Sequence, residues 1–531
     1  MMPALPLRSP PRLARVPLIL LAFTAALAGA FTTGCGSASS NSGPPPLSGN
    51  TSVTVLLSST ANDQLSEFDI DFVSVTLTNK AGKTVTLPTP QLGPDFIHVN
   101  GMVEPLLTVS VPQDVYTSAA VTIGNSGFNC ETINPSGSLT LAYFFYLNIQ
   151  TPVTVNLPAP ITITGTSMGL TLDLQASQSA SFPSTCYTDG IEPFSITPTF
   201  NLKPITVSSQ PTNVDNGKEV SLEGQISSIN TGNNTLTLAL ADRQTLTVKT
   251  NDSTVYQGAS GFSLLAPAMF VDLDVEIQSD GSQLAARIAV YDQVALNVMT
   301  GPLLFVDEYA PCFNSLGRQE QGSNYTPQPF DAGYYAFPSS TVFQISGHFT
   351  NLRTLPFVGS FNGANMVPGQ NVAVFSQAIA PPGGDLQCGY AWTDATTITL
   401  MPQTINGTVS GVSSDGGFTT YTVALGAYDL FPALAVQQAQ AHLLLDPSTV
   451  VVYVDGNTQL LNSQPLAAGS VLRFNGLVFN DNGTLRMDCG QVNDGVAVQP
   501  QAQAAGAGRS PHRAQSGFVV HRYLQNPGGS R

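Results

Sequence analysis

Apolar and polar residues alternate with period two over most of the chain, the pattern of half-buried strands rather than helices. The clearest run is Phe68-Asp69-Ile70-Asp71-Phe72-Val73-Ser74-Val75-Thr76-Leu77. Shorter alternating runs are expected at 53–57, 83–87, 95–99, 114–123, 152–157, 168–174 and 194–207, with Gly, Pro or Asn between them. Leu139–Ile149 is more continuously apolar, and reads as either a buried strand or a short helix. Closely spaced short strands over residues 51–208 predict a β-sandwich.

The next three stretches, 218–296, 297–402 and 403–498, share one plan, which predicts an internal repeat. Each opens with a strand near a glycine: Leu222–Ile226 with Gly224, Val298–Val306 with Gly301, and Ile405–Val409 with Gly407. A Ser-Thr-Val step follows, at Ser253-Thr254-Val255, Ser340-Thr341-Val342 and Ser448-Thr449-Val450. Each then enters a long strand (265–277, 366–375, 466–479) and closes after a turn with a last one (284–290, 386–392, 485–492). Units of this size suit small closed barrels, which remove exposed sheet edges. The middle unit carries what reads as an insertion at 307–335, rich in Gly, Tyr and Pro. The fold expected is therefore all-β: an N-terminal β-sandwich followed by three small OB-like β-barrel repeats.

Composition agrees with strands and turns. Charged residues make up 10% of the chain, against roughly 25% in an average soluble domain. With 47 Gly and 39 Pro, this excludes a coiled coil or helical bundle. It also excludes an ordinary doubly wound enzyme. The formal net charge is −16, and removal of Arg8, Arg12 and Arg15 with a leader makes it more negative. Such a chain has no electrostatic footprint for nucleic acid.

Residues 1–34 have the form of a signal peptide: three arginines, an apolar run from Val16 to Phe31, then Thr32-Thr33-Gly34-Cys35. The run is short for a membrane span, which needs about 20 apolar residues. Residues 35–50 (CGSASSNSGPPPLSGN) read as a flexible tether reaching ~20–30 Å. The tail, 499–531, has four arginines, two histidines and no acid, and is expected to be a disordered, solvated segment.

Three resemblances sharpen this picture. Gly34-Cys35 is similar to the end of a bacterial lipoprotein signal, although Thr32 departs from the leucine usual there; ordinary cleavage after Ala28-Gly29-Ala30 is the rival. The resemblance implies lipidation of Cys35, a membrane partner through that anchor and, with Gly36 following, the outer membrane of the cell envelope. Residues 51–207 ("SVTVLLSS", "FDIDFVSVTLTNKAGKTVTL", "VSVPQDVYTSAAVTI", "SITPTFNLKPITV") resemble domain-of-unknown-function family four-three-eight-two, which implies an extracytoplasmic β-sandwich. The repeats resemble domain-of-unknown-function family five-six-six-six, most closely in "VSLEGQISSINTGNNTLTLALADRQTLTVKTNDSTVYQ", which implies OB-like β-barrels. The first of these two families supplies no catalytic residues to transfer.

Six cysteines occur, at 35, 130, 186, 312, 388 and 489. Export makes pairing the default. Cys130 and Cys186 share one expected domain, and Cys312 and Cys388 another, so each pair is a disulfide candidate. Cys388 and Cys489 read as matching positions in the last strands of units two and three, and Cys489 is left over. Without a lipid, six cysteines pair in 15 ways.

Strong catalytic signals are missing. His98, His348, His442, His512 and His521 show no ligand spacing, and no G-x-S-x-G elbow or phosphate-binding loop occurs. Two rows of acids remain: Glu67, Asp69 and Asp71 on one strand, Asp272, Asp274 and Glu276 on another. Each row shares a face and offers oxygens to Ca2+; period-two alternation alone also predicts a solvated outer face. Aromatics gather around the insertion: Tyr309, Phe313, Tyr325, Phe330, Tyr334, Tyr335 and Phe337, with Tyr390 and Trp392 further on. They read as a satellite core or, for Tyr325, Tyr334, Tyr335, Tyr390 and Trp392, as a ligand surface. The expectation is a lipid-anchored envelope protein with a non-catalytic binding or scaffolding role, its partner an envelope polysaccharide or protein, needing no cofactor unless Ca2+. A polysaccharide-active enzyme and a calcium-stabilised adhesin are the competing readings.

Overall fold

The computed structural model describes residues 47–496 and the strand Val519–Arg522. Within 47–496 it leaves out 61–63, 90–92, 101–102, 134–138, 147–151, 182–194, 206–219, 241–244, 279–281, 293–296, 308–310, 318, 322–331, 347–353, 378–392, 427–428 and 441–443. Cys35, Cys186, Tyr325, Cys388, Tyr390 and Trp392, with the leader and most of the tether, lie outside the described residues.

The N-terminal domain is built from β1 (Asn50–Thr60), β2 (Leu65–Asn79), β3 (Thr84–Pro88), β4 (Glu104–Pro112), β5 (Asp114–Ile133), β6 (Leu139–Tyr146), β7 (Pro152–Asn156), β8 (Ile161–Ile163), β9 (Ser167–Gln175), β10 (Ala180–Ser181), β11 (Ser195–Ile196) and β12 (Phe200–Pro204). The ambiguous apolar run is a strand, β6. The main path runs β3-β2-β5-β7-β12-β9-β1-β4 as one continuous sheet, with β6 and β8 joined to β5. It curls until its end strands β3 and β4 approach each other, around a single core that includes Phe68, Phe72, Phe96, Phe128 and Phe200. Alternation explains the inner face, because Phe68, Ile70 and Phe72 are all fully buried. The strand expected at 95–99 is a turn instead. Asp95 Oδ1 accepts from the backbone N–H groups of Phe68 (2.8 Å) and Ile97 (2.9 Å), and this local pairing outcompetes a ladder.

Barrel one comprises β13 (Val220–Asn230), β14 (Thr235–Ala239), β15 (Leu246–Lys249), β16 (Val255–Gln257), β17 (Phe270–Ile277) and β18 (Gln283–Asp292). Barrel two comprises β19 (Asn297–Val306), β20 (Cys312–Leu316), β21 (Gln319–Gln321), β22 (Ala332–Ala336), β23 (Val342–Ile345), β24 (Asn371–Ser376) and β25 (Thr393–Leu400). Barrel three comprises β26 (Gln403–Asp415), β27 (Phe418–Leu425), β28 (Thr449–Val454), β29 (Gln459–Leu460), β30 (Val471–Asp481) and β31 (Thr484–Asp494). Each closes a five-stranded ring: β13-β14-β15-β18-β17, β19-β20-β22-β25-β24 and β26-β27-β28-β31-β30. In every ring the third and last strands pair in parallel, and the other pairs are antiparallel. A five-stranded closed Greek-key ring is the OB-like architecture.

Two expectations change here. The stretch 307–335 is no insertion, because β20 and β22 are the second and third strands of the ring and the barrel cannot close without them. Nor is the tail solvated throughout, because β32 (Val519–Arg522) pairs in parallel with β6.

The described α-helices are the one-turn α1 (Ala176–Ser179) and α2 (Leu430–Gln440), which lies between β27 and β28; Phe262–Leu264 is a single 3-10 turn. The apolar residues of α2 serve two cores: Leu430 and Leu434 pack with Leu304 and Leu316 of barrel two, while Phe431 and Ala435 pack inside barrel three. No described helix is long and apolar enough to cross a membrane.

Leu47–Arg531 forms one compact unit, and the cores run across module borders. Phe270 of barrel one meets Phe375 of barrel two edge to face, with ring centroids 5.8 Å apart. Phe357, between β23 and β24, packs on Tyr453 and Phe479 of barrel three.

Candidate functional site

The acidic rows are not solvated outer faces. Glu67 and Asp69 are buried at 2% and 8% exposure, and Asp71 is half-buried. Burial pushes the Asp71 carboxyl above the usual carboxylate range, against hydrogen bonds from Asn125 that lower it. Asp272 and Asp274 are buried as well, on the side of β17 opposite the barrel core residues Val271, Leu273 and Val275. Their charge is met by Arg287 of β18, which is 1% exposed: its Nη2 donates to Asp272 Oδ2 at 2.7 Å and its Nε to Asp274 Oδ2 at 2.6 Å. Register explains the pairing, since Asp274 lies directly opposite Arg287 in the ladder. Burial works against the guanidinium charge, but the two carboxylates more than offset it, and the pKa of Arg287 is raised. These carboxylates are occupied by a side-chain cation, and Glu276 stands apart, half-buried, with Gln278 as its neighbour. Among the described residues no group of three or more His, Cys, Asp or Glu side chains is placed to hold a metal ion.

The described aromatics of the middle unit are mostly core. Tyr335 is 3% exposed and stacks on Phe313 with centroids 5.3 Å apart, so it is not a ligand surface. Its hydroxyl points at Met299 Sδ. Tyr334, next along the strand, is half-buried.

Cys489 is a free, buried cysteine. Its thiol lies 3.3 Å from the Gln491 carbonyl, and burial above all pushes its pKa far up. Cys130 and Cys312 are both buried, and their expected partners Cys186 and Cys388 lie outside the described residues.

A concavity with a volume of about 70 Å³ lies where three modules meet. The turn after β2–β3 contributes His98 and Asn100; barrel two contributes Gly369 and Asn371; barrel three contributes Gln403, Thr404, Asn475 and the start of α2. Each wall is fixed by polar contacts. His98 Nε2 lies 2.9 Å from Glu104 Oε1, and Glu104 is buried. The Thr404 hydroxyl donates to the Asn100 carbonyl and accepts from Asn475 Nδ2 at 2.9 Å. Arg473 of β30 reaches across, donating from Nη1 to Ser59 O (3.1 Å) and Asn100 Oδ1 (3.2 Å). Gln403 bridges barrels two and three: its Oε1 accepts from the Asn371 backbone N–H (3.0 Å) and its Nε2 donates to Gly369 O (3.2 Å).

Gly369 is required at its position. Its φ is +94°, and a Cβ would stand 2.8 Å from the Phe431 ring of α2. Asp429 lies at the α2 N-terminus, its carbonyl accepting from Ala433 N–H and its Oδ2 from Gly426 N–H. Asn371 is 9% exposed; its Nδ2 donates to Pro402 O, and its Oδ1, itself closed off from solvent, receives no hydrogen bond from any described residue. Among the described residues the lining has no lysine or arginine, and Asp429 is its one carboxylate. The wall is rich in amides, but these bond mainly to one another and to the backbone, which fixes the junction of the three modules.

Sequence reasoning singled out none of this wall. His98 stood alone without ligand spacing, and amides scattered along the chain from Asn100 to Asn475 carry no motif.

Residues 223–289, nearly the whole of barrel one, match a family described as a domain of unknown function (DUF5666). No curated protein matches the chain.

Proposed function

We propose that this chain is an exported, lipid-anchored envelope protein. Its body acts as a rigid, non-catalytic scaffold or binding module toward an envelope polysaccharide or another envelope protein. The observation that carries the reading is the sharing of cores between successive modules. Phe270–Phe375 joins barrels one and two, Phe357–Tyr453–Phe479 joins two and three, and Arg473 ties barrel three to the N-terminal sheet. Continuous apolar packing of this kind resists relative domain motion.

The signal-like leader, Gly34-Cys35 and the Gly/Ser/Pro-rich tether support the anchored address, as does the likeness of residues 51–207 to family four-three-eight-two. An exported address also favours bridges Cys130–Cys186 and Cys312–Cys388, with Cys489 left reduced. Among the described residues, His98 and Glu104 pair with each other beside Thr404, whose hydroxyl is already given to Asn100.

Fractionation and intact mass of the native protein test this. Wild type is expected in the membrane fraction with a diacylated N-terminus at Cys35, and Cys35→Ser is expected to release it as a folded soluble protein. A full-length, unlipidated product in the cell interior would overturn the anchored reading.

A further inference from the structure

We infer that the His98–Glu104 pair is a proton-dependent latch on the junction between the N-terminal domain and the barrels. The modules stay docked while the pair carries a proton, and the junction loosens when alkaline pH removes it. This goes beyond the scaffold reading and needs neither the lipid anchor nor a ligand.

The pair stands where barrel three takes hold. His98 belongs to the turn 95–100, which is organised by Asp95. Asp95 Oδ1 accepts from the Phe68 and Ile97 N–H groups, and its Oδ2 accepts from the His98 N–H at 3.2 Å. Two residues past His98, Asn100 offers its carbonyl to Thr404 and its Oδ1 to Arg473. Asn100 is also bridged to Ser59 near the end of β1, and the Ser59 carbonyl is a second acceptor for Arg473. Glu104 opens β4 opposite Leu57 of the same β1. The 2.9 Å contact between His98 Nε2 and Glu104 Oε1 therefore ties the turn to the strand pair that barrel three grips.

Charge decides what that contact needs. The two side chains are 13% and 3% exposed. With one proton between them the pair is neutral overall, whichever side chain carries it. With none, a carboxylate is left beside a neutral ring, and a buried charge stranded in that way is costly. The surroundings strengthen the preference. Asp95 lies in the same turn, Glu67 and Asp69 lie on β2, which is bridged to Asp95, and Asp429 of barrel three lines the same concavity as His98. Arg473 is the opposing cation, but it is engaged by Asn100 and shared with Asp173 of β9. Carboxylates outweigh this guanidinium around the pair, so losing the proton adds negative charge where negative charge is already in excess.

Pulling the modules apart returns the pair to water, where a histidine gives up its proton near pH 6.5, about the middle of the range a cell meets. The docked state holds that proton to higher pH than the open state does. Docking therefore has the pair's full contribution below about pH 6.5 and loses it as pH rises through the docked value.

Hydrogen exchange of the whole protein from about pH 6 to about pH 9, corrected for the intrinsic rate at each pH, tests the latch. The Ser59 and Asn100 N–H groups report on this corner, since they donate to Val99 O and Ile97 O. In wild type their corrected exchange is expected to rise about tenfold across the range, the equivalent of one pH unit between docked and open states. Amides in the barrel cores should stay unchanged. Glu104→Gln keeps a hydrogen-bonding partner for His98 but has no charge to strand, and is expected to lose the alkaline rise. His98→Gln keeps a donor to Glu104 but brings no proton, and is expected to exchange at about pH 6 as fast as wild type does when alkaline. Asp173 and Asp429 are intact in both variants, so a rise that came from them would persist in Glu104→Gln. No rise in wild type, a rise that survives Glu104→Gln, or His98→Gln exchanging at the wild-type rate at about pH 6 each overturns the latch. An acceleration spread evenly over the barrels does so too. Should Glu104→Gln fail to fold, His98→Gln and the wild-type profile still decide.

Discussion

Thr254 Oγ1 donates to the carbonyl of Ala285 at 2.8 Å, and the same bond recurs in the other two barrels. Thr341 Oγ1 donates to Ala395 O at 2.7 Å, and Thr458 Oγ1 to Cys489 O at 2.8 Å. The register is the same each time: the residue after the threonine pairs with the residue two past the acceptor, Val255 with Arg287, Val342 with Thr397 and Gln459 with Gln491. In barrels one and three the hydroxyl also accepts from a backbone N–H three residues back, Asn251 or Asp455. A short sixth strand (β16, β23 or β29) is thus fastened to the last strand of each ring by one hydroxyl. Thr458→Val keeps the shape and removes the fastener, leaving a buried carbonyl short of a donor. A loss of about 1–3 kcal/mol is expected. Hydrogen exchange should show it as faster opening at residues 459–461 and 489–492, with the first two barrels unaffected. Uniform acceleration over the whole chain, or none, would count against the fastener.

This bond also marks where the sequence could and could not be read. Ser-Thr-Val at 253–255 and 340–342 does hold the fastening threonine, but Ser448-Thr449-Val450 does not. It opens β28, the third ring strand, and the third barrel's fastener is Thr458, in Asp455-Gly456-Asn457-Thr458. A tripeptide common in any strand-rich chain recurred by chance one strand too early, and the real equivalence rests on turn geometry. The same correction moves Cys489: it corresponds to Ala285 and Ala395, seven residues beyond Cys388. Strands were legible because burial on one face of a sheet imposes period two. What alternation does not encode is what covers the other face, which is why Asp272 and Asp274 looked solvated while Arg287, thirteen residues past Asp274, lay opposite them. The pocket was invisible for a related reason, its wall being made from side chains that only the docking of modules brings together.

The Arg287 cluster should behave as a buried ion set. Removing the cation alone strands two buried carboxylates, so Arg287→Met is expected to cost about 3–5 kcal/mol. Replacing Asp272, Asp274 and Arg287 together with apolar residues of similar volume should recover most of that loss. Thermal unfolding of the single and triple variants decides between this and a merely local role. If the triple variant is no better than the single one, the cost lies in packing and not in the stranded charges.

Arg473 gives the junction its polar anchor. Arg473→Ala removes donors to Ser59 O and Asn100 Oδ1, which belong to the N-terminal domain, and one to Asp494 O within barrel three. The expected result is a loosened interface around folded modules: limited proteolysis should cut the N-terminal domain from the barrels faster, while hydrogen exchange inside each barrel core stays slow. Proteolysis at the wild-type rate would show that the apolar contacts alone hold the junction.

Asp173 sets a pH dependence whose sign can be worked out. Burial raises its pKa above the ordinary 3.8, with Lys203 and Arg473 acting the other way. The folded protein therefore holds this proton where the unfolded chain has lost it. The folded state is favoured below the ordinary carboxylate pKa, and that advantage is lost as pH rises through the raised folded value. Asp173→Asn cannot ionise. Relative to wild type it is expected to gain stability as pH rises from about 4 and to hold a constant advantage once Asp173 is fully charged. Denaturant melts of both proteins across the acid range measure this difference, in which the other carboxylates cancel. A difference that stays flat throughout would mean Asp173 titrates alike in both states.

Cys489 offers a direct count of the proposed bridges. The nucleophile is the thiolate, and burial of this thiol, next to Asp488 and with Asp455 nearby, holds it protonated. The native protein is therefore expected to resist iodoacetamide at pH 8. In denaturant without reductant, one alkyl group should be added, at Cys489, because lipid holds Cys35 and two bridges hold the other four. Three alkyl groups would break one proposed bridge, and five would break both. Alkylation of Cys489 in the native state would mean that barrel three opens on the timescale of labelling, and Thr458→Val should then speed it further.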